Sequence, residues 1–377
     1  MNRILRKRTS QVLSGLLILV VMLGMAACEY SGDGVVKVEF GDSSLFNQEE
    51  PDDSVFTDTL RLAVFDTLWQ RVFENYAYIE SKEDIWQLAY DDYAEQVLTS
   101  LNVRDFRGLL MRMMGELEDE NFGIADSTGE AFSAYDGERE VNWRIGAWET
   151  TVDVIDYVSV DGWGWARSDT VGYLYLKNLN PETFLAADFD AVMDSLAGMK
   201  AILCDVRSCG TPVTSMTEDV VDMAGTYLFG ETVISRFITE PLPVLTSYTN
   251  EDTELDTITV EPRGEWQFTG PVVILMGEGT LNEGELFARA MSERADVHLI
   301  GDPTTGQVGV TRFYELSSVS EYAIPVVGFT NLLGARLQQL SLAPEFIIDW
   351  APDSFNNRDN VLLDAFVWTD GFLSGEL

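Results

Sequence analysis

The sequence predicts an α/β protein: an N-terminal helical domain followed by a β/α core built from crossover units. Two observations support that expectation. Residues 57–118 repeat apolar side chains at helical spacing. From about residue 150 onward, short apolar runs such as KAILCDVR (200–207) and PVVILMG (271–277) alternate with amphipathic segments. That rhythm is the one of strand, crossover helix and parallel strand. With 377 residues and 46% hydrophobic content, the chain is able to bury a large core.

The elements follow in order. Arg3, Arg6, Lys7 and Arg8 precede an apolar stretch from Val12 to Met25, and Ala26 and Ala27 stand before Cys28. This is the layout of a secretory signal over residues 1–27, too short and wrongly flanked for a membrane span. The tetrapeptide MAAC resembles a bacterial lipobox, which makes Cys28 the lipidated first residue of an exported lipoprotein of the bacterial cell envelope, anchored in the periplasm or at the outer membrane. Residues 28–55, acidic and containing Gly, Ser and Pro, read as a tether. Residues 56–125 form the helical domain. Leu60, Val64, Leu68, Val72 and Phe73 share one face of a first helix reading through Ile79; Ser81 with Asp84 resembles a capping box for a second; Asn102 caps a third. Trp69, Tyr76, Trp86 and Tyr90 belong to the core. Residues 126–170 read as a β-rich connection, and residues 171–377 as the core domain. Within it, residues 181–199 and 211–229 are amphipathic helices, and EFIIDW then DNVLLDAFVW a last strand and a closing helix.

Charge excludes one class of partner. Asp and Glu number 63 against 24 Lys and Arg, a net charge of −39 that becomes −43 once residues 1–27 are removed. Such a surface repels nucleic acid and anionic lipid. It reads as a solubility adaptation to high salt. Nothing in the sequence sets an oligomeric state.

Open α/β sheets form sites at the carboxyl ends of their strands. Three loops qualify: DVRSCGTP, GEGTLNEGE and GDPTTGQVG. The single histidine, His298, lies inside the strand DVHLI, where a sheet role is expected, and one histidine cannot build a zinc site. No GxGxxG follows a strand and no phosphate loop occurs, so no metal or cofactor is expected. GTLNEGELFARA (279–290) reads as a strand breaking at glycines into a helix, yet contains no Ser, Cys or His; Asn282 stands where the helix begins. Glu283 and Glu285 meet the helix dipole there, as capping and solvated groups. Thr280, with Glu278 or Glu283 as base, is the alternative nucleophile. Cys204, a strand residue, and Cys209, a loop residue, are candidates for a disulfide in an oxidising envelope.

Five segments in sequence order resemble the tail-specific, or C-terminal-processing, serine peptidases, whose core is shared with the tricorn protease and, on the fold level, with the crotonase-like spiral. They are FDTLWQRVFENYAY with GELEDENFGI, KAILCDVRSCG, TLNEGELFARAM, HLIGDPTTGQVG and LSLAPEFIIDW. The resemblance runs from about residue 60 to 370. It implies that Asp205, Arg207, Gly210, Glu285, Thr305 and Gly306 retain the family's scaffold positions. It also implies that the chemistry is gone. The serine position, three before Glu285, holds Asn282; the lysine position, twenty-five residues further on, holds Gln307; the histidine position of the tricorn-like branch holds Asn121; the late glutamate falls on Gln338. Where the family's oxyanion loop has Gly-Gly, Gly210 is followed by Thr211 and Pro212, and proline has no N–H to donate. The stretch between Gly123 and Val171 is too short for the PDZ domain many members carry. The resemblance thus implies a serine peptidase homologue without a working site, a pseudoenzyme that binds a peptide or protein C-terminus, or a small apolar ligand. An active peptidase with non-standard residues and a structural envelope lipoprotein are the alternatives.

Overall fold

The computed structural model describes residues 29–30, 36–37, 57–100, 102–125, 131–155, 157–160, 163–177, 179, 186–210, 230–251, 256–317 and 320–376. Cys28, Thr211, Pro212 and the helix read over 211–229 lie outside them.

Three helices open the body: α1 (Asp58–Asn75), α2 (Glu83–Val97) and α3 (Val103–Gly115). Thr57 and Asn102 cap α1 and α3, each side chain accepting a backbone N–H of the first turn. The box read at Ser81 and Asp84 does not form. Lys82 is the N-cap of α2 and gives it no side-chain bond, while the Ser81 hydroxyl donates back to the Tyr78 carbonyl at 2.9 Å. Helix α1 also stops short of the sequence reading, at Asn75, because Tyr76 and Tyr78 turn inward. Their hydroxyls donate to the Asp119 carboxylate (3.0 Å) and the Val308 carbonyl (2.9 Å). Trp69 and Trp86 tie α1 to α2 reciprocally, each indole N–H on the other's backbone carbonyl at 3.0 Å.

Beyond the two-residue pair β1 (Glu29–Tyr30) and β2 (Val36–Lys37), the strands form two sheets. The first comprises β3 (Gly123–Ala125), β4 (Ala131–Ser133), β9 (Leu242–Thr249), β10 (Asp256–Val260), β13 (Val310–Ser317) and β14 (Ser320–Thr330), all antiparallel. The second contains β5 (Val158–Val160), β6 (Trp163–Arg167), β7 (Val171–Leu176), β8 (Ala201–Asp205), β11 (Val272–Met276), β12 (Val297–Gly301) and β15 (Phe346–Ile347). Its order is β15-β12-β11-β8-β7-β6-β5, parallel from β15 to β7 and antiparallel beyond.

The segment 126–170 is not wholly β-rich, since it carries helix α4 (Ile145–Val152). That helix buries Ala147, Trp148, Thr151 and Val152 against the parallel sheet. Helices α5 (Ala186–Ser195), α6 (Glu231–Ile234), α7 (Glu283–Met291) and α8 (Asn360–Ser374) complete the fold. Strands β7, β8 and β11 are buried along their whole length, and their side chains alternate between two cores. Leu174, Ile202, Cys204 and Ile274 join the large core shared with the N-terminal helices; Tyr173, Leu203, Val273 and Leu275 join the core under α4 and α8. Covering both faces explains why these strands read as unbroken apolar runs. No helix of the described residues is long and apolar enough to cross a membrane.

Strand β3 follows the helices directly and pairs with the start of β14, Ala125 opposite Glu321. That pairing brings the 119–121 turn of the helical region to the carboxyl end of β11.

Candidate functional site

Strand β11 ends at Met276, and the chain turns through Gly277–Leu281 into α7. Asn282, at the N-cap, has φ 42° and ψ −113°, a conformation costly for a side chain other than glycine. Its backbone fixes the elbow on both sides: its N–H donates to the Gln307 carbonyl (2.8 Å), and its carbonyl accepts the Leu286 N–H (2.8 Å). The expected strand–turn–helix elbow is present.

Asn282, Asn121, Gln307 and Gln338, four positions spread over more than two hundred residues, form two amide pairs, and each pair is oriented by its neighbours. In the first, the Gly309 N–H donates to Asn282 Oδ1 (3.2 Å), Asn282 Nδ2 to Asn121 Oδ1 (2.7 Å), and Asn121 Nδ2 to Asp119 Oδ1 (3.1 Å). Tyr76 donates to the other carboxylate oxygen at 3.0 Å. In the second, the Val308 N–H donates to Gln338 Oε1 (2.8 Å) and Gln338 Nε2 to Gln307 Oε1 (2.8 Å). Two successive backbone N–H groups thus start two parallel chains of neutral amides. Asn282, Asn121 and Gln307 are buried.

An amide is neither an acyl acceptor nor a base near neutral pH. The titratable group on the first chain is Asp119, which burial pushes up to about 6. It is separated from Asn282 by Asn121, whose neutral amide cannot pass on a proton. The alternative nucleophile fares no better. Thr280 is fully buried, its hydroxyl donating to the Val206 carbonyl (2.9 Å) and accepting the Gly277 N–H (3.1 Å), so it closes a turn. At the oxyanion-loop position, Gly210 has φ 112°, and a Cβ there would stand 2.0 Å from the Leu281 carbonyl oxygen. Its N–H donates to the Lys177 carbonyl at 3.3 Å. A donor already paired within the fold is not aimed at a developing oxyanion.

The scaffold positions have structural partners. Arg207 at the end of β8 is fully buried and pairs with Asp205 (2.7 Å) and with Asp359 (2.8 Å), while its Nη1 also donates to the Asn142 carbonyl (2.8 Å). Tyr173 donates to Asp205 as well (2.9 Å). Asp359 caps α8, so one guanidinium joins the sheet to the closing helix. Glu285 departs from the solvated reading. It is fully buried, takes two N–H bonds from Arg289 and one from Gly306, and burial raises its pKa. It holds the 304–307 loop against α7; Thr305 reaches the Thr280 carbonyl at 3.5 Å. Glu283 is likewise buried.

His298 occupies the expected sheet position, 3.0 Å from Glu345 and against Trp368 and Phe372. Cys204 and Cys209 are free, buried thiols. Among the described residues no group of His, Cys, Asp or Glu is arranged to hold a metal. Two residues of the site escaped the sequence reading. Asp359 had a visible signal, an aspartate ahead of the apolar run NVLL. Asp119 had none.

The comparisons with known proteins agree with this architecture. Residues 170–348 match the model of peptidase family S41. Among solved structures, a candidate peptidase from Parabacteroides merdae superposes with a TM-score of 0.67 at 19% identity, covering 81% of this chain and 95% of its own. Mature CPAF gives a TM-score of 0.57 at 9% identity, with 82% and 96% covered. A lipoprotein from Streptococcus agalactiae gives 0.53 at 11% identity, with 82% and 95% covered. At these identities the likeness is one of fold. No curated protein matches the chain. In its residues 170–348 the chain carries the domain of peptidase family S41, the tail-specific proteases.

Proposed function

We propose that this S41 homologue is catalytically inactive and acts by binding an extended peptide or a protein C-terminus between the helical region and the core. In this reading it is exported and held at the envelope by a lipid on Cys28. The observation that carries the proposal is the Asn282–Asn121 bond of 2.7 Å, where the family resemblance puts a serine and a histidine. Loss of a nucleophile and its base lowers a hydrolytic rate about a millionfold. The elbow, the Glu285 clamp and the Arg207 cluster keep the walls of the cleft without its chemistry.

The test uses the mature protein with a serine-reactive phosphonate, with unstructured peptides bearing apolar C-termini, and with a fatty acid. Peptide binding without labelling or turnover is the expected result. Covalent labelling or steady cleavage overturns inactivity, and fatty-acid binding with no peptide binding overturns the ligand. The double variant N282S/Q307K is expected to stay inactive, because the Gly210 N–H remains paired with Lys177.

A further inference from the structure

A concavity of about 510 Å³ is walled by Trp143, Trp350 and Phe355, with Arg144, Glu278 and Asp302 among its lining residues. None of the four amides lines it. It opens at the carboxyl ends of β11 and β12, where open α/β sheets hold their ligands.

Its chemistry is specific. Trp143, Trp350 and Phe355 supply aromatic walls, and Glu140, Glu278 and Asp302 supply three carboxylates against one cation, Arg144. The carboxylates are themselves positioned. Asp302 accepts the indole N–H of Trp350 (2.5 Å), and Glu278 accepts the Glu140 N–H (2.5 Å). Trp350 packs on Phe355 at 5.6 Å. The indole nitrogen of Trp143 is buried and has no hydrogen-bond partner. A buried donor without an acceptor is an exception that calls for one. The guanidinium of Arg144 stands 5.7 Å from the centre of the Phe355 ring, and this exposed residue makes no ion pair among the described residues. The wall therefore already accepts a guanidinium, one that an incoming ligand can displace.

From this geometry we infer that the pocket binds the guanidinium side chain of an arginine in a peptide ligand. The cation stacks on Phe355 and Trp350 between Glu278 and Asp302. Burial raises the Asp302 carboxyl, and a neighbouring guanidinium reverses that by favouring its charged form. The inference rests on the peptide-binding reading only for the carrier of the arginine.

The probes are acetyl-arginine amide and its neutral isostere acetyl-citrulline amide, titrated calorimetrically and by tryptophan fluorescence. The arginine probe is expected to bind at least about tenfold more tightly than the citrulline probe. Glu278→Gln and Asp302→Asn, which keep an acceptor for their present partners, are expected to remove most of that preference. Arg144→Ala is expected to leave binding intact or strengthen it. Equal binding of the two probes, no binding of either, or a preference that survives in E278Q/D302N with an unchanged circular dichroism spectrum overturns the inference. Because the probes lack an apolar C-terminus, arginine binding without tail-peptide binding would uphold this pocket and discard the proposed cleft ligand.

Discussion

Two buried polar clusters stand at the carboxyl ends of the same sheet, and they are built on opposite terms. Around Arg207, three full charges are packed with no exposure, and four donors of the guanidinium's bonds end on two aspartates that are themselves anchored by Tyr173 and the cap of α8. Around Asn282, four side chains at peptidase-like positions are neutral, and each amide satisfies the next. A charge tolerates burial where the fold itself supplies every partner. A catalytic charge cannot be so completely satisfied, since it must be open to a substrate; the neutral amides around Asn282 carry no charge that has to be left open.

Substitutions can break or sharpen this contrast. The largest effect is expected for Arg207→Met, which leaves two buried aspartates without their cation and should cost about 3–5 kcal/mol in urea unfolding. Next comes Asp119→Asn, read through pH. The folded carboxyl titrates at about 6, above its ordinary value of 3.8, so the folded state holds the proton more tightly than the unfolded one. That contribution is complete below about pH 4 and is lost as pH rises through 6. The stability of the natural protein relative to D119N should therefore fall by on the order of 3 kcal/mol between pH 4 and 7; a flat difference would show Asp119 to be an ordinary carboxylate. Asn282→Ala leaves the Asn121 oxygen and the Gly309 N–H without this partner and should cost about 2 kcal/mol. A cost equal to that of R207M would erase the distinction between the clusters. Gln338→Ala, at the half-buried end of the second chain, should cost about 1 kcal/mol.

Much of this was legible in the sequence, for local reasons. Strands β8 and β11 announce themselves because both faces are covered, α1 because Leu60, Val64, Leu68 and Val72 recur at helical spacing, and α3 because Asn102 sits before a periodic apolar run. The elbow at Asn282 was readable as a glycine break between strand and helix. Position-by-position resemblance also selected four amides that do meet in space. What stayed hidden depends on distance along the chain. Nothing near Glu285 signals that the Gly306 loop will close over it, and nothing near Arg207 points 152 residues ahead to Asp359. The antiparallel sheet was missed for the same reason, since short strands such as β3 and β4 are defined by β14 and not by their own three residues. Helix α4 was hidden by the aromatic and β-branched residues that surround it.

The pairing of β3 with β14 sets a timetable for folding. Helices α1 to α3 have local contacts and form early, but the strand that follows them pairs with residues 321–323. Closing so long a loop comes late and slows the search, as high contact order does generally. The Asn121–Asn282 meeting depends on the same closure, so the elbow and its amide partner are assembled only after nearly the whole chain is available. A chain truncated before β14 would lose the site entirely.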